Sequence, residues 1–186
     1  MTDPAPPGEA ARAPDPGADP YTGRLGQAVN AGGTVFALLL VVSAGILIFE
    51  IVMRYVFDAP TMWAHETVIF ISGTAFVYGG LYTVARNQHI RIVVIYGQLP
   101  PGIRRRVDVV ISFVSFLATA MFAWAAWQGV RRALWNPAGD IRLERSGSAW
   151  NPPFPALLKL FLLIALLVMA AQFLILTVNH FRGRTR

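Results

Sequence analysis

Four long stretches of this chain carry no charged side chain: Leu25–Phe49, Thr67–Ala85, Val109–Val130 and Leu160–Asn179, of 25, 19, 22 and 20 residues. A helix of roughly 20 apolar residues crosses the hydrocarbon core of a bilayer. In lipid the backbone must satisfy its own hydrogen bonds, which turns each such stretch into a helix. A soluble bundle would need a polar face on every helix, and none of the four has charges with which to build one. The pattern predicts an all-α integral membrane protein with four transmembrane helices, at about 30–54, 64–86, 104–134 and 155–180.

The charge balance follows the same frame. The chain has 16 Lys and Arg against 10 Asp and Glu, a net +6. In a soluble protein such an excess would suggest nucleic acid. Here the cations sit at the ends of apolar runs, where membrane topology places them, so no nucleic-acid partner is expected. Cysteine is absent, which excludes disulfides, thiolate metal sites and cysteine nucleophiles.

Residues 1–26 read as a Pro-rich tail. The first 20 residues hold six prolines, four acids and one arginine, too little apolar surface to fold on. No basic region stands next to the start of the chain, and the first apolar run is too long for the core of a signal peptide, so it is expected to remain as span one. Residues 183–186 form a basic tail. With the termini on one side, ten Lys and Arg fall there and six on the other. The positive-inside bias places both termini in the cytoplasm.

The connections carry the remaining signals. Span one ends in Glu50-Ile-Val-Met-Arg54, the favourable i,i+4 order for an ion pair on a helix. Pro60 breaks the chain. Trp63 lies at the depth of an aromatic belt, and Glu66 is expected in the first turn of span two, where a negative charge suits the helix dipole. Gly73 and Gly80 share one face of span two, as close helix packing in membranes requires. His89 to Leu99 is too short to span, and its apolar face predicts an interfacial helix at about 89–99 between spans two and three. Pro101 is placed to open the third long helix, whose first turns carry Arg104, Arg105 and Arg106. Trp127 and Trp135 read as belt residues. The longest connection, Asn136–Lys159, holds Trp150-Asn-Pro-Pro, whose prolines start helix four, and Gln172 is the polar residue of span four.

No span contains an interior acid, base or histidine, the usual mark of an ion or substrate path, and none is interrupted as transporter cores are. Glu50 comes nearest, but it lies at a span's outer end beside Arg54. No catalytic residue, metal site or cofactor is expected, and the chain reads as an accessory or anchor subunit, not an enzyme. Two classes follow: a structural subunit of a transporter, or a haem-binding membrane anchor of an electron-transfer complex. Haem needs axial ligands. The histidines are His65, His89 and His180, all at span ends, and of these His89 and His180 would share the cytoplasmic side.

The segment Arg54-Tyr-Val-Phe-Asp-Ala-Pro-Thr-Met-Trp-Ala-His-Glu66 resembles a signature of the small membrane subunit, DctQ type, of tripartite ATP-independent periplasmic (TRAP) transporters. Gly79-Gly80, His89-Ile-Arg-Ile-Val and Leu99-Pro100 followed by Arg104 continue the resemblance in order, over roughly Gly26 to Phe181. Val93 departs from it, standing where many relatives have aspartate, so no role of that acid carries over. Ser148-Ala-Trp-Asn-Pro-Pro153 resembles a branch linked to mannitol or chloroaromatic compounds, a poor guide to substrate. The resemblance implies a large membrane subunit that moves a small organic acid inward with sodium, a periplasmic solute-binding protein that selects it, and a small subunit that enlarges the fixed scaffold. Arg54, Trp63, Glu66, Gly73, Gly80, Arg91 and Arg104 are the expected contacts with these partners or with membrane phospholipids, and Arg54 and Glu66 are expected to pair or to meet the binding protein.

Overall fold

The structure, a computed structural model, describes residues 22–86, 100–136 and 138–182. The expected interfacial helix at 89–99, with Arg91 and His89, lies outside the described residues, as do most of the N-terminal tail and the basic tail. Four helices run through the rest: α1 (Gly23–Tyr55), α2 (Met62–Ala85), α3 (Pro101–Leu134) and α4 (Phe154–Arg182). All four are long and apolar enough to cross a membrane. At 1.5 Å per residue the 33 residues of α1 extend about 50 Å, beyond a hydrocarbon core of about 30 Å. Among the described residues the sole β-type pairing is a bridge between Trp135 and Ile141.

Two helix starts follow from proline. Pro101 opens α3 at the position where its missing N–H costs nothing. Pro152 and Pro153 precede Phe154, and the Leu157 N–H closes the first turn of α4 on the Pro153 carbonyl. Two other starts differ from the sequence expectation. α1 begins at Gly23, inside the stretch assigned to the tail. α2 begins at Met62, so Glu66 lies past the first turn and not within it. Thr61 supplies the extended residue ahead of α2, and the helix therefore starts as soon as the chain has cleared Pro60.

The helices stand in an open row, in the order α1–α2–α4–α3. α2 packs on α1 and α4, α4 packs on α2 and α3, and α1 touches α4 only marginally. At the α1–α4 margin Phe36 approaches Phe161 at 5.9 Å between ring centroids. Burial follows the order. In the most apolar windows 33% of α2 and of α4 is buried, against 11% of α1 and 17% of α3. Three small cores mark the seams. Val29, Leu81 and Ala85 join α1 to α2; Val84, Phe173 and Leu176 join α2 to α4; Ala123, Val130 and Leu163 join α3 to α4.

Candidate functional site

Alternation along the row gathers the end of α1, the start of α2, the end of α3 and the start of α4 at one end of the molecule. That end holds Arg54, Trp63 and Glu66 of the expected contact residues. Glu50, on the last turns of α1, is buried, with 6% of its surface exposed. Its carboxylate accepts a hydrogen bond from Arg54 at 2.6 Å and from the Thr61 N–H at 3.0 Å, and a third from the Thr61 hydroxyl. One acid thus fastens the end of α1 to the residue that launches α2. The turn between them is reinforced by the Ala59 N–H on the Met53 carbonyl, with Asp58 at φ 49°, a left-handed conformation that aspartate tolerates.

Arg54 is therefore engaged by Glu50, and the structure does not pair it with Glu66. Glu66 stands apart on α2, its Oε2 buried and without a hydrogen-bond partner among the described residues. It lines a hollow of about 220 Å³ with Ile69, Phe70, Ser146, Phe154, Pro155 and Leu158. Two of these lining residues, Phe70 and Phe154, stack at 4.5 Å between centroids. Trp63 is exposed and lies 6.1 Å from Phe49, between α1 and α2.

The two glycines singled out in span two behave differently. A Cβ on Gly73 would sit 3.2 Å from the Leu158 methyls, tighter than ordinary contact, so this glycine does permit α2 and α4 to close. A Cβ on Gly80 would meet Met169 Cε at 3.6 Å, ordinary packing against a flexible end. The tightest approaches between two helices lie at glycines that the sequence reading does not single out. A Cβ on Gly32 would lie 2.0 Å from the Tyr78 hydroxyl, and one on Gly33 2.4 Å from the Tyr82 ring. Tyr78 is held there, donating to the Val29 carbonyl at 2.6 Å and stacking on Phe36 at 3.9 Å. The signal is present in the sequence as Gly32-Gly33 in span one facing Tyr78 and Tyr82, spaced i,i+4, in span two.

The long connection after α3 is ordered. The Arg142 and Glu144 N–H groups bond the Leu134 and Ala133 carbonyls at the C-terminus of α3, at 2.9 and 2.7 Å. Glu144 also pairs with Lys159 on α4. The Ser146 N–H meets the Pro152 carbonyl at 3.1 Å, and Arg145 donates to the Asn151 carbonyl at 2.9 Å, so the loop closes on itself. Beside it a wide, open cleft of about 730 Å³ is lined by Trp127, Gln128, Arg131, Arg132, Trp135 and Asn136. The two indoles meet edge to face at 6.4 Å.

At the opposite end fewer residues are described. α3 contains Arg104, whose side chain lies outside the described residues. Thr22 donates to the Ala85 carbonyl at 3.3 Å, drawing the start of α1 onto the end of α2. Gln172, the polar residue of α4, is fully buried, with both amide atoms unpartnered among the described residues. His65 near the start of α2 and His180 near the end of α4 fall at opposite ends of the helices, and His89, the residue expected to share the side of His180, lies outside the described residues.

Four membrane-length helices in an open row, with hollows and an ordered loop at one end, define a multi-pass membrane subunit. The chain matches the family of tripartite ATP-independent periplasmic transporters, DctQ component, over residues 43–183, and it belongs to that family, as a small permease subunit of a TRAP transporter. No curated protein matches it. The family is a transporter component, and nothing in the match supports the haem-anchor alternative.

Proposed function

We propose that this subunit sits in a bacterial inner membrane with both termini cytoplasmic and forms fixed scaffold for a large TRAP membrane subunit, in sodium-driven, binding-protein-dependent uptake of a small organic acid. The observation that carries the reading is the open row. A closed bundle hides one side of every helix, whereas this row leaves wide apolar surface on α1 and α3, with Leu38, Val41, Ile48, Val114, Met121 and Phe122 all exposed. Lipid covers some of that surface, and a large apolar partner has room to cover the rest. A rigid slab added to the large subunit gives its moving part something stationary to slide against.

In this reading the end bearing Trp63, Trp135 and Trp150 is periplasmic, and its ordered loop offers the surface met by the solute-binding protein. The cleft of Trp127, Arg131, Arg132 and Trp135 receives phospholipid headgroups, its guanidinium groups meeting phosphate and its indoles lying at the belt. Arg91 and Arg104 anchor the cytoplasmic side to phosphates or to the large subunit. Substrate and sodium are bound by the large subunit, and the binding protein selects the substrate.

The test is mild-detergent purification of the tagged subunit from its native membrane, followed by reconstitution. The expected result is a large polytopic partner in the eluate and uptake that needs a sodium gradient and the binding protein. Recovery of a redox subunit with a Soret band, or uptake undiminished in vesicles lacking this subunit, would overturn the reading.

A further inference from the structure

The hollow at Glu66 sets a half-buried acid against apolar walls. Its lining is Ile69, Phe70, Phe154, Pro155 and Leu158, all apolar, with Ser146 and Glu66 itself. Into this setting α2 projects a carboxylate with one oxygen, Oε2, shut away from solvent and without a donor among the described residues. Glu50, at the same end of the molecule on α1, shows what such an acid ordinarily demands, for it is satisfied by three donors. A buried charge left unpaired is expensive. Glu66 as a whole is half-buried, but its Oε2 has no donor within reach among the described residues.

We infer that this hollow is a socket for one basic side chain, arginine or lysine, of the large membrane subunit, with Glu66 as its counter-charge; the inference rests on the scaffold reading above. The chemistry of the walls favours that occupant. Lysine and arginine carry long methylene stems that lie along apolar surface while the head finds its charge, and a guanidinium also stacks on aromatic faces such as those of Phe70 and Phe154. A volume of about 220 Å³ suits a single long side chain. A lipid ethanolamine suits it less well. Its ammonium lies two carbons from a phosphate, and none of the lining residues is a cation that would hold that phosphate beside the carboxylate. The position also fits, since the hollow opens between α2 and α4, the two central helices of the row, so that one inserted side chain would grip both.

The experiment compares retention of the large subunit by wild type, Glu66→Gln, Glu66→Lys and Ile69→Trp in mild detergent, with salt titration and uptake on the same preparations. Ile69 is an exposed residue at the lip, and tryptophan there fills the hollow without touching the charge. Glu66→Lys and Ile69→Trp are expected to weaken retention by about tenfold or more, the ordinary cost of losing one partner of a buried charge pair or its seat. Glu66→Gln should weaken it less and remove its salt dependence. Single Lys or Arg to Glu replacements in the large subunit should then include one that restores retention to Glu66→Lys. Circular dichroism and a monodisperse elution profile confirm that each variant is folded. If wild type itself retains no large subunit, the scaffold reading fails. If wild type and all three variants retain it equally, only the socket fails. If the variants lose phosphatidylethanolamine from nanodiscs relative to phosphatidylglycerol while retaining the large subunit, the occupant is a lipid amine and the inference is overturned.

Discussion

The two helical hairpins of this molecule are held by different means. Along the α1–α2 seam, Val29, Phe36, Ser43 and Glu50 recur every seven residues, with Gly26 and Gly33 three places ahead of the first two. These residues meet α2 through polar ties: Tyr78 to the Val29 carbonyl, Ser43 to Ser72 at 3.2 Å, and Glu50 to Thr61. The α3–α4 seam is built from alanine, valine and leucine, and its outer end is clipped by the ordered connection that bonds the last carbonyls of α3 and reaches Lys159. Lipid tails are as apolar as leucine, so apolar contact alone gives helices little reason to prefer each other. The first hairpin answers with close approach and hydrogen bonds inside the membrane. The second places its polar fastening outside the spans, in a loop long enough to fold.

Bulk at the close approaches should break the first hairpin most severely. Gly33→Leu drives a side chain into the Tyr82 ring, which already lies 2.4 Å from where a Cβ would go. Gly33→Ala is expected to cost about 1–3 kcal/mol, the range for overpacked sites, and Gly33→Leu more, measured by denaturant-titrated unfolding in detergent. Gly45, on the same helix with nothing within 4 Å of the place a Cβ would take, is the control, and Gly45→Ala should change little. Equal effects at the two glycines would mean that close approach is not what closes this seam.

The next largest effect is expected at Glu50. Glu50→Ala strips three donors of their acceptor and leaves Arg54 to find water or headgroups. The loss should fall between those of Gly33→Leu and Tyr78→Phe, and it should appear as protease access at the turn of residues 56–61 before global unfolding. Tyr78→Phe keeps the stack on Phe36 and deletes one hydrogen bond. Such bonds in membrane proteins average about 0.6 kcal/mol and reach about 1.7, so unfolding should shift by that order. A Tyr78→Phe effect as large as that of Glu50→Ala would show that the ties are not graded by charge.

The spans are plain in the sequence and the seams obscure, for one physical reason. Crossing a bilayer demands a run of uncharged residues, and four such runs are visible in the sequence alone. Which side of each helix meets another is normally read from an apolar stripe, but α1 packs with its small and polar stripe and turns leucine, valine and isoleucine outward. A search for apolar faces therefore looks in the wrong direction. Gly73 is legible because it shares a face of span two with another small residue. Gly32 and Gly33 are not, because their meaning depends on two tyrosines some 45 or more residues away. The nearness of Arg54 and Glu66 across a short turn leads to the expectation that they pair or meet the binding protein. What the turn brings to Arg54's end of α1 is Thr61, and Arg54 finds Glu50 on its own helix at the spacing the sequence already displays.

The smallest expected effect lies in the second hairpin and bears most directly on the contrast between the two. Lys159 and Glu144 form an ion pair whose side chains are 43% and 41% exposed. Exposed pairs contribute about 0–1 kcal/mol because water and salt screen them and long side chains lose freedom in forming them. Lys159→Met keeps the stem against α4 and removes the charge. Unfolding should move by less than about 1 kcal/mol, and raising salt should abolish even that difference, since the effect is electrostatic. The backbone bonds from Arg142 and Glu144 to the end of α3 would remain and hold the loop in place. If Lys159→Met instead loosened the loop as Glu50→Ala loosens the first turn, seen as faster proteolysis across residues 142–152, the two hairpins would share one design, an acid at the outer corner binding each pair of helices, and the contrast between them would be one of position rather than of kind.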